Sequence, residues 1–107
     1  PGDGPSEQLR EGGYANIYVV GTGGKNGDKA AAHMEFNGAD PGYKGTAALA
    51  VEAALCMALP SEKAKLAPGG GCLTPATALG QTLVDRMNES ENFRFTVKPL
   101  EDTVIKG

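Results

Sequence analysis

YANIYVVGTGGKNGDKAAAHMEFN, residues 14–37, is the stretch on which the fold turns. Its first part, YANIYVVG (14–21), is aromatic and β-branched and reads as a strand. Its last part, KAAAHMEFN (29–37), sets Ala30, Ala32, Met34 and Phe36 on one face and Lys29, Ala31, His33 and Glu35 on the other. A period of two of this kind suits a strand with one wet face. Between them, Asn26-Gly27 is a strong hairpin turn signal. A β-hairpin is the expectation, with a short Ala-rich helix over 28–36 as the alternative.

Outward from the hairpin, FRFTVK (93–98) alternates Phe93, Phe95 and Val97 inward with Arg94, Thr96 and Lys98 outward, which predicts a third strand. Two helices are announced by a cap followed by proline. Asp40-Pro41 opens an Ala-rich run from Tyr43 to Leu59 whose only charges are Lys44 and Glu52. A helix so apolar all round is expected to be buried on several sides, and Pro60 to end it. Thr74-Pro75 opens a helix over 75–89, with Ala76, Leu79, Leu83 and Met87 on one side and Val84 flanking. Upstream, Ser6 caps a short helix that Gly12 and Gly13 end. The stretch 61–71 is a surface turn and a glycine run with room for one helical turn, and 99–107 is expected to be a loosely held tail. The order is β-β-α-α-β: an α+β fold, a small three-stranded sheet packed against two helices.

Composition bounds the rest. A chain of 107 residues holds one small domain, here residues 1–98. Its net charge of −3, with no basic run, argues against nucleic acid as a partner. No apolar stretch is long enough to span a bilayer and no signal peptide is evident, so a cytoplasmic location is expected. Neither Cys56 and Cys72 nor the single histidine gives a zinc-like spacing, and no metal is expected. Leu, Ile, Val and Phe together make only 20 residues against 15 alanines and 16 glycines. That is near the level at which a core becomes hard to build. The thin core, the start at Pro1 and the Ala-rich helix together suggest part of a larger protein.

Several constellations invite a chemical reading. Val19-Val20-Gly21-Thr22-Gly23-Gly24 looks like a strand running into a dinucleotide loop, but the third glycine position is Asn26 and no capped helix follows; a hairpin turn is favoured. Gly38 to Tyr43 reads as a strand-to-helix corner, or as helix N–H groups and the Tyr43 hydroxyl meeting an anion. Gly69-Gly70-Gly71-Cys72-Leu73-Thr74-Pro75 is a connector, a hinge, or a second such start; only if the loop folds toward the first would the two make an anion site. His33 on the wet face beside Glu35 is weak evidence for catalysis. Cys56 reads as a buried small hydrophobe, and Cys72 as a loop thiol with no neighbouring charge to activate it.

The phrases PGDGPS (1–6), DPGYKGTA (40–47), GGCLTPA (70–76) and FRFTV (93–97), in this order, resemble the C-terminal part of saccharopine dehydrogenase-like oxidoreductases, the trans-acting enoyl reductases of mycobacteria included. The resemblance runs over about residues 1–98. It implies a parent enzyme whose N-terminal Rossmann domain, outside these residues, binds NAD(P) and supplies hydride. This part would then complete the substrate side of the cleft and take part in homodimer contacts, binding no cofactor tightly and catalysing nothing alone. The substrate contacts it suggests are Asp40, Gly42, Tyr43 and Lys44 at the first helix start, with Gly71 and Thr74 at the second. It designates no catalytic residue.

Overall fold

In the computed structural model, which describes residues 2–103, the chain is α+β, with a three-stranded antiparallel sheet packed against helices. Pro1 of the first phrase and residues 104–107 of the expected tail lie outside the described residues. Helix α1 (Glu7–Glu11) begins where the Ser6 hydroxyl accepts from the Leu9 N–H at 3.3 Å. The hairpin follows as β1 (Tyr14–Gly23) and β2 (Asp28–Asn37), in register from Tyr14↔Asn37 to Gly23↔Asp28. Gly24 and Gly27, with φ of 74° and 68°, close the loop between them. The Gly21–Gly24 run thus leads through a turn into a second strand. A phosphate loop needs a helix N-terminus at that point, so the dinucleotide alternative falls, as does the helix alternative for 28–36.

Helix α2 (Lys44–Ala58) starts three residues after Pro41, because residues 41–43 form a turn. Leu59 then turns extended, and Pro60 takes the first position of a further helical turn, α3 (Pro60–Lys63), rather than only ending α2. Helix α4 (Pro75–Asn88) starts as expected, the Thr74 hydroxyl accepting from the Thr77 N–H at 3.3 Å. It breaks at Gly80, whose φ of 50° and ψ of −134° no regular helix allows. Strand β3 (Phe93–Pro99) pairs antiparallel with β2, from Phe36↔Phe93 to Ala30↔Pro99. Leu100–Asp102 form a 3-10 turn after it.

The core is small and sits at one end of the sheet. Phe36 and Phe93 meet edge to face at 5.2 Å, Met87 packs on them, and Ala15, Met34, Ala48, Leu49, Leu83 and Phe95 surround the three. Arg86 ties the helices together, its Nε 2.7 Å from Glu52 on α2 and an Nη 3.5 Å from Glu62 on α3. Cys56 is fully buried beside this network.

Two expectations are corrected. Val97 has the right face but no cover: it is 73% exposed, because the helices end short of the far half of the sheet. Ile17 and Val19, on the same face, are likewise exposed. Helix α2 is buried on one side only, through Gly45, Ala48, Leu49, Glu52, Ala53 and Cys56, while Ala47, Ala50, Val51, Ala54, Met57 and Ala58 face outward. The dimensions agree. A radius of gyration of 16.0 Å exceeds the ~13 Å expected for this length. An accessible surface of 7610 Å² exceeds by about a third the ~5600 Å² expected for this mass.

Candidate functional site

The richest constellation of contacts lies where the segment before β1 meets the turn before α2. Gly13 and Asp40 touch backbone to backbone: a Cβ on Gly13 would stand 2.5 Å from the Asp40 Cα. The Ala39 N–H donates to the Gly13 carbonyl at 3.1 Å, and the Asp40 N–H to the Arg10 carbonyl at 3.0 Å. From the other side, a Cβ on Gly45 would stand 2.7 Å from the Asp40 carbonyl oxygen and 3.0 Å from the Phe36 ring. Only glycine fits either position without something moving. The corner is thereby clamped directly onto the core.

Its charges are spent internally. The Asp40 carboxylate accepts from the Tyr43 N–H at 2.8 Å and the Lys44 N–H at 2.9 Å. Partial burial works against its ionisation. The Lys44 and Tyr43 N–H groups, its own N–H and the Arg10 charge outweigh that, and hold the carboxyl below its ordinary value. Lys44 Nζ donates to the Glu11 carboxylate at 2.5 Å and to the Gly38 carbonyl at 2.9 Å. The Arg10 guanidinium donates to the Pro5 carbonyl at 2.6 Å. Tyr43 lays its ring against Gly4, whose φ of 72° and missing Cβ make the space, and stays 57% exposed. Gly42 is exposed in the same turn.

Four of the six expected substrate contacts, Asp40, Gly42, Tyr43 and Lys44, thus share one corner. Gly71 and Thr74 are not part of it. Helix α4 meets the Asp40 end of α2 through Leu83 and Met87, in its second half, which pack with Ala48 and Leu49. Thr74 stands at the opposite end of α4, in an exposed stretch running from Ala67 to Thr77. None of the hydrogen bonds that hold the corner reaches Gly71 or Thr74. The sequence reading missed Arg10, Glu11, Gly4 and Gly13 as partners of the corner. Nothing periodic links residues about 30 apart, although glycines at positions needing space were a usable signal.

Two further places have some chemistry. On the other face of the sheet, His33 stacks on Tyr18 with ring centroids 4.3 Å apart and an interplanar angle of 8°, and His33 Nε2 lies 2.8 Å from Asn16 Oδ1. His33 is therefore half-buried and engaged rather than a bare wet-face histidine. At the hairpin tip, an open groove runs between Gly21–Gly24 and the Val97–Glu101 segment, with Asp28 and Lys29 in its wall. None of the six expected contacts lines it. Burial pushes the Cys56 thiol up, the Glu52 and Glu62 charges adding to this and Arg86 opposing it, so Cys56 is an inert core thiol.

Over 87 residues, 81% of its length, the chain is 42% identical to a protein of Mycobacterium tuberculosis strain H37Rv that carries the provisional name trans-acting enoyl reductase. A protein of strain CDC 1551 with the same provisional name matches identically. The chain is homologous to them but spans only 20% of their length, as a segment of a larger protein would. No family model matches the chain. No solved structure matches it. Among the described residues, no helix is long and apolar enough to cross a membrane.

Proposed function

We propose that this chain is the C-terminal, substrate-side domain of a larger saccharopine dehydrogenase-like NAD(P)-dependent oxidoreductase, cytoplasmic and homodimeric. In this reading the parent reduces an enoyl group, as the names of the relatives suggest for those proteins. The observation that carries it is the 42% identity over most of this chain but only a fifth of each relative.

The nicotinamide, held elsewhere in the parent, supplies the hydride. The residues described here do not fit it: the one glycine-rich run after a strand closes a hairpin and aims no helix at a pyrophosphate. No hydride step is therefore derived from this chain. Its own contribution is a shaped wall of the cleft, with Asp40, Gly42, Tyr43 and Lys44 on one corner and Gly71 and Thr74 on the loop before α4. Within that corner, Asp40 and Lys44 act by holding the turn, since the Asp40 carboxylate is taken up by two backbone N–H groups and Lys44 is paired with Glu11, and the exposed Tyr43 ring is the group placed to touch a ligand. Residues 99–107 form the tail of the domain 1–98.

The test is to purify the complete gene product that carries this sequence and follow NADPH oxidation with an α,β-unsaturated thioester. Consumption of NADPH that a Tyr43→Ala variant slows, chiefly through KM, is the expected result. A complete product that neither binds nor oxidises a nicotinamide cofactor contradicts the reading.

A second reading rests on the outward face of α2. Ala47, Ala50, Val51, Ala54, Met57 and Ala58 form an exposed apolar stripe, with alanines that permit close backbone approach. On this reading the chain is a non-catalytic self-associating module. Sedimentation of the 107-residue chain decides it, since a stable monomer at micromolar concentration excludes self-association through that helix.

A further inference from the structure

The two outer edges of the sheet are treated differently. In antiparallel pairing the N–H and C=O of one residue point to the same neighbouring strand, and successive residues alternate. The Asn37 N–H donates toward the β3 side, to the Asn92 carbonyl at 2.9 Å. The register then turns Phe36, Met34 and Ala32 toward β1, where they face Ala15, Ile17 and Val19. Asn16, Val20 and Thr22 of β1 accordingly point their backbone groups away from β2. By the same alternation Phe95 points away from β2 on the other edge.

At Phe95 the outer edge is closed. The Asn88 side chain acts as a substitute strand: its Oδ1 accepts from the Phe95 N–H at 2.6 Å, and its Nδ2 donates to the Phe95 carbonyl at 3.4 Å. Arg94 and Lys98 put charge on the same strand, and Pro99 ends it without an N–H. Side-chain blocking, charge and proline are the devices that keep a strand edge from pairing. Strand β1 lacks the charge and the proline, and among the described residues no side chain bonds the backbone of Asn16, Val20 or Thr22. Its ten residues include no charge and no proline, and among the described residues it pairs with β2 alone. Its register shows no bulge. Beside it the apolar face of the sheet is bare, with Ile17, Val19 and Val97 at 45%, 62% and 73% exposure.

We infer that β1 is an interior strand of the complete protein: a strand from the same polypeptide, outside these 107 residues, pairs along its outer edge through Asn16, Val20 and Thr22. That strand carries apolar side chains on the helix-bearing face, where they cover Ile17 and Val19. The inference rests on the reading above that this chain is part of a larger protein. Its scale fits. The surface of the chain in excess of a self-sufficient domain is roughly 2000 Å², which with an equal area on the covering side falls among the large, obligate interfaces and leaves ample room for one added strand. The relatives carry four-fifths of their length outside the matched stretch to fill it.

The test is residue-resolved amide exchange on the complete gene product. Ile17, Val19 and Gly21, bonded to β2, serve as internal controls. The expected result is that Asn16, Val20 and Thr22 also exchange about 100-fold or more slower than unstructured chain, at every protein concentration. Val20→Pro removes one outward N–H and is expected to speed exchange at Asn16 and Thr22 about tenfold. Slow Ile17 and Val19 alternating with fast Asn16 and Val20 overturns the inference. So does protection lost on dilution together with dissociation of a dimer, which would make a second copy the occupant. An intact mass corresponding to these 107 residues alone defeats the larger-protein reading itself, whereas the alternating pattern in a longer product defeats only the edge assignment.

Discussion

At the Phe36 end of the sheet, one face carries Ala15, Met34, Phe36, Phe93 and Phe95, and two helices close over them. At the hairpin end the same face carries Ile17, Val19, Ala30, Ala32 and Val97, of the same chemical kind, and all but the half-buried Ala32 are exposed. The strands are equally regular throughout, so backbone pairing does not require the core. What separates the ends is the reach of the helices: α2 starts at the Asp40 corner, α4 packs with it through Leu83 and Met87, and both stop short of the far half. A domain shaped to stand alone would have polar residues on an uncovered face. The apolar far half is the surface that the proposed larger protein would cover.

The comparison can be broken by substitution, and the largest effect is expected in the covered half. Phe36→Ala should cost about 3–5 kcal/mol of unfolding free energy, whereas Val97→Ala should stay within about 0.5 kcal/mol, both read from urea titrations. Equal costs at the two positions would mean that the far half is packed after all. Next comes the glycine pair. Gly13→Ala forces a Cβ into the Asp40 backbone and should cost about 2 kcal/mol or more, while Gly21→Ala, with open space around its site, should be near neutral.

A smaller effect separates the two edges. Asn88→Ala strips the side-chain cover from Phe95 and should cost about 1 kcal/mol, with faster amide exchange at Phe95 and a greater tendency to aggregate. No change in Phe95 exchange would mean that Asn88 does not guard the edge. The smallest effect concerns pH. The Asp40 carboxyl titrates below its unfolded value, so its contribution is fully present above the unfolded pKa and disappears as pH falls through the folded one. Asp40→Asn should flatten the acid limb of the stability profile without changing the slope near neutrality. An unchanged acid limb would show that the two backbone donors do not favour the charged form.

Much of this arrangement was legible in the residues. Alternation over 29–37 and 93–98, the Asn26-Gly27 turn and the caps at Ser6 and Thr74 are local signals, and each formed the element it predicts. Where the reading went astray, the cause was not local. The even apolarity of α2 suggested cover on several sides, yet which sides are covered depends on how far its neighbours extend. Gly80 lies inside the continuous helix expected over 75–89 and is a break, with Leu79 and Thr82 buried on either side of it. At the corner, Asp40 and Lys44 were visible as candidates, but Glu11, which pairs with Lys44, comes from a helix with no pattern linking it to them, and the Asp40 carboxylate is taken up by the Tyr43 and Lys44 N–H groups of its own turn. Charges that look free in sequence proved to be engaged.

These residues leave an apolar surface bare, and thermal unfolding of the 107-residue chain alone shows whether it needs cover. Circular dichroism at a concentration where the chain is monomeric is expected to show a broad transition below the ~45 °C at which mesophilic domains begin to melt. A sharp, cooperative transition of the monomer near ~60 °C would contradict it.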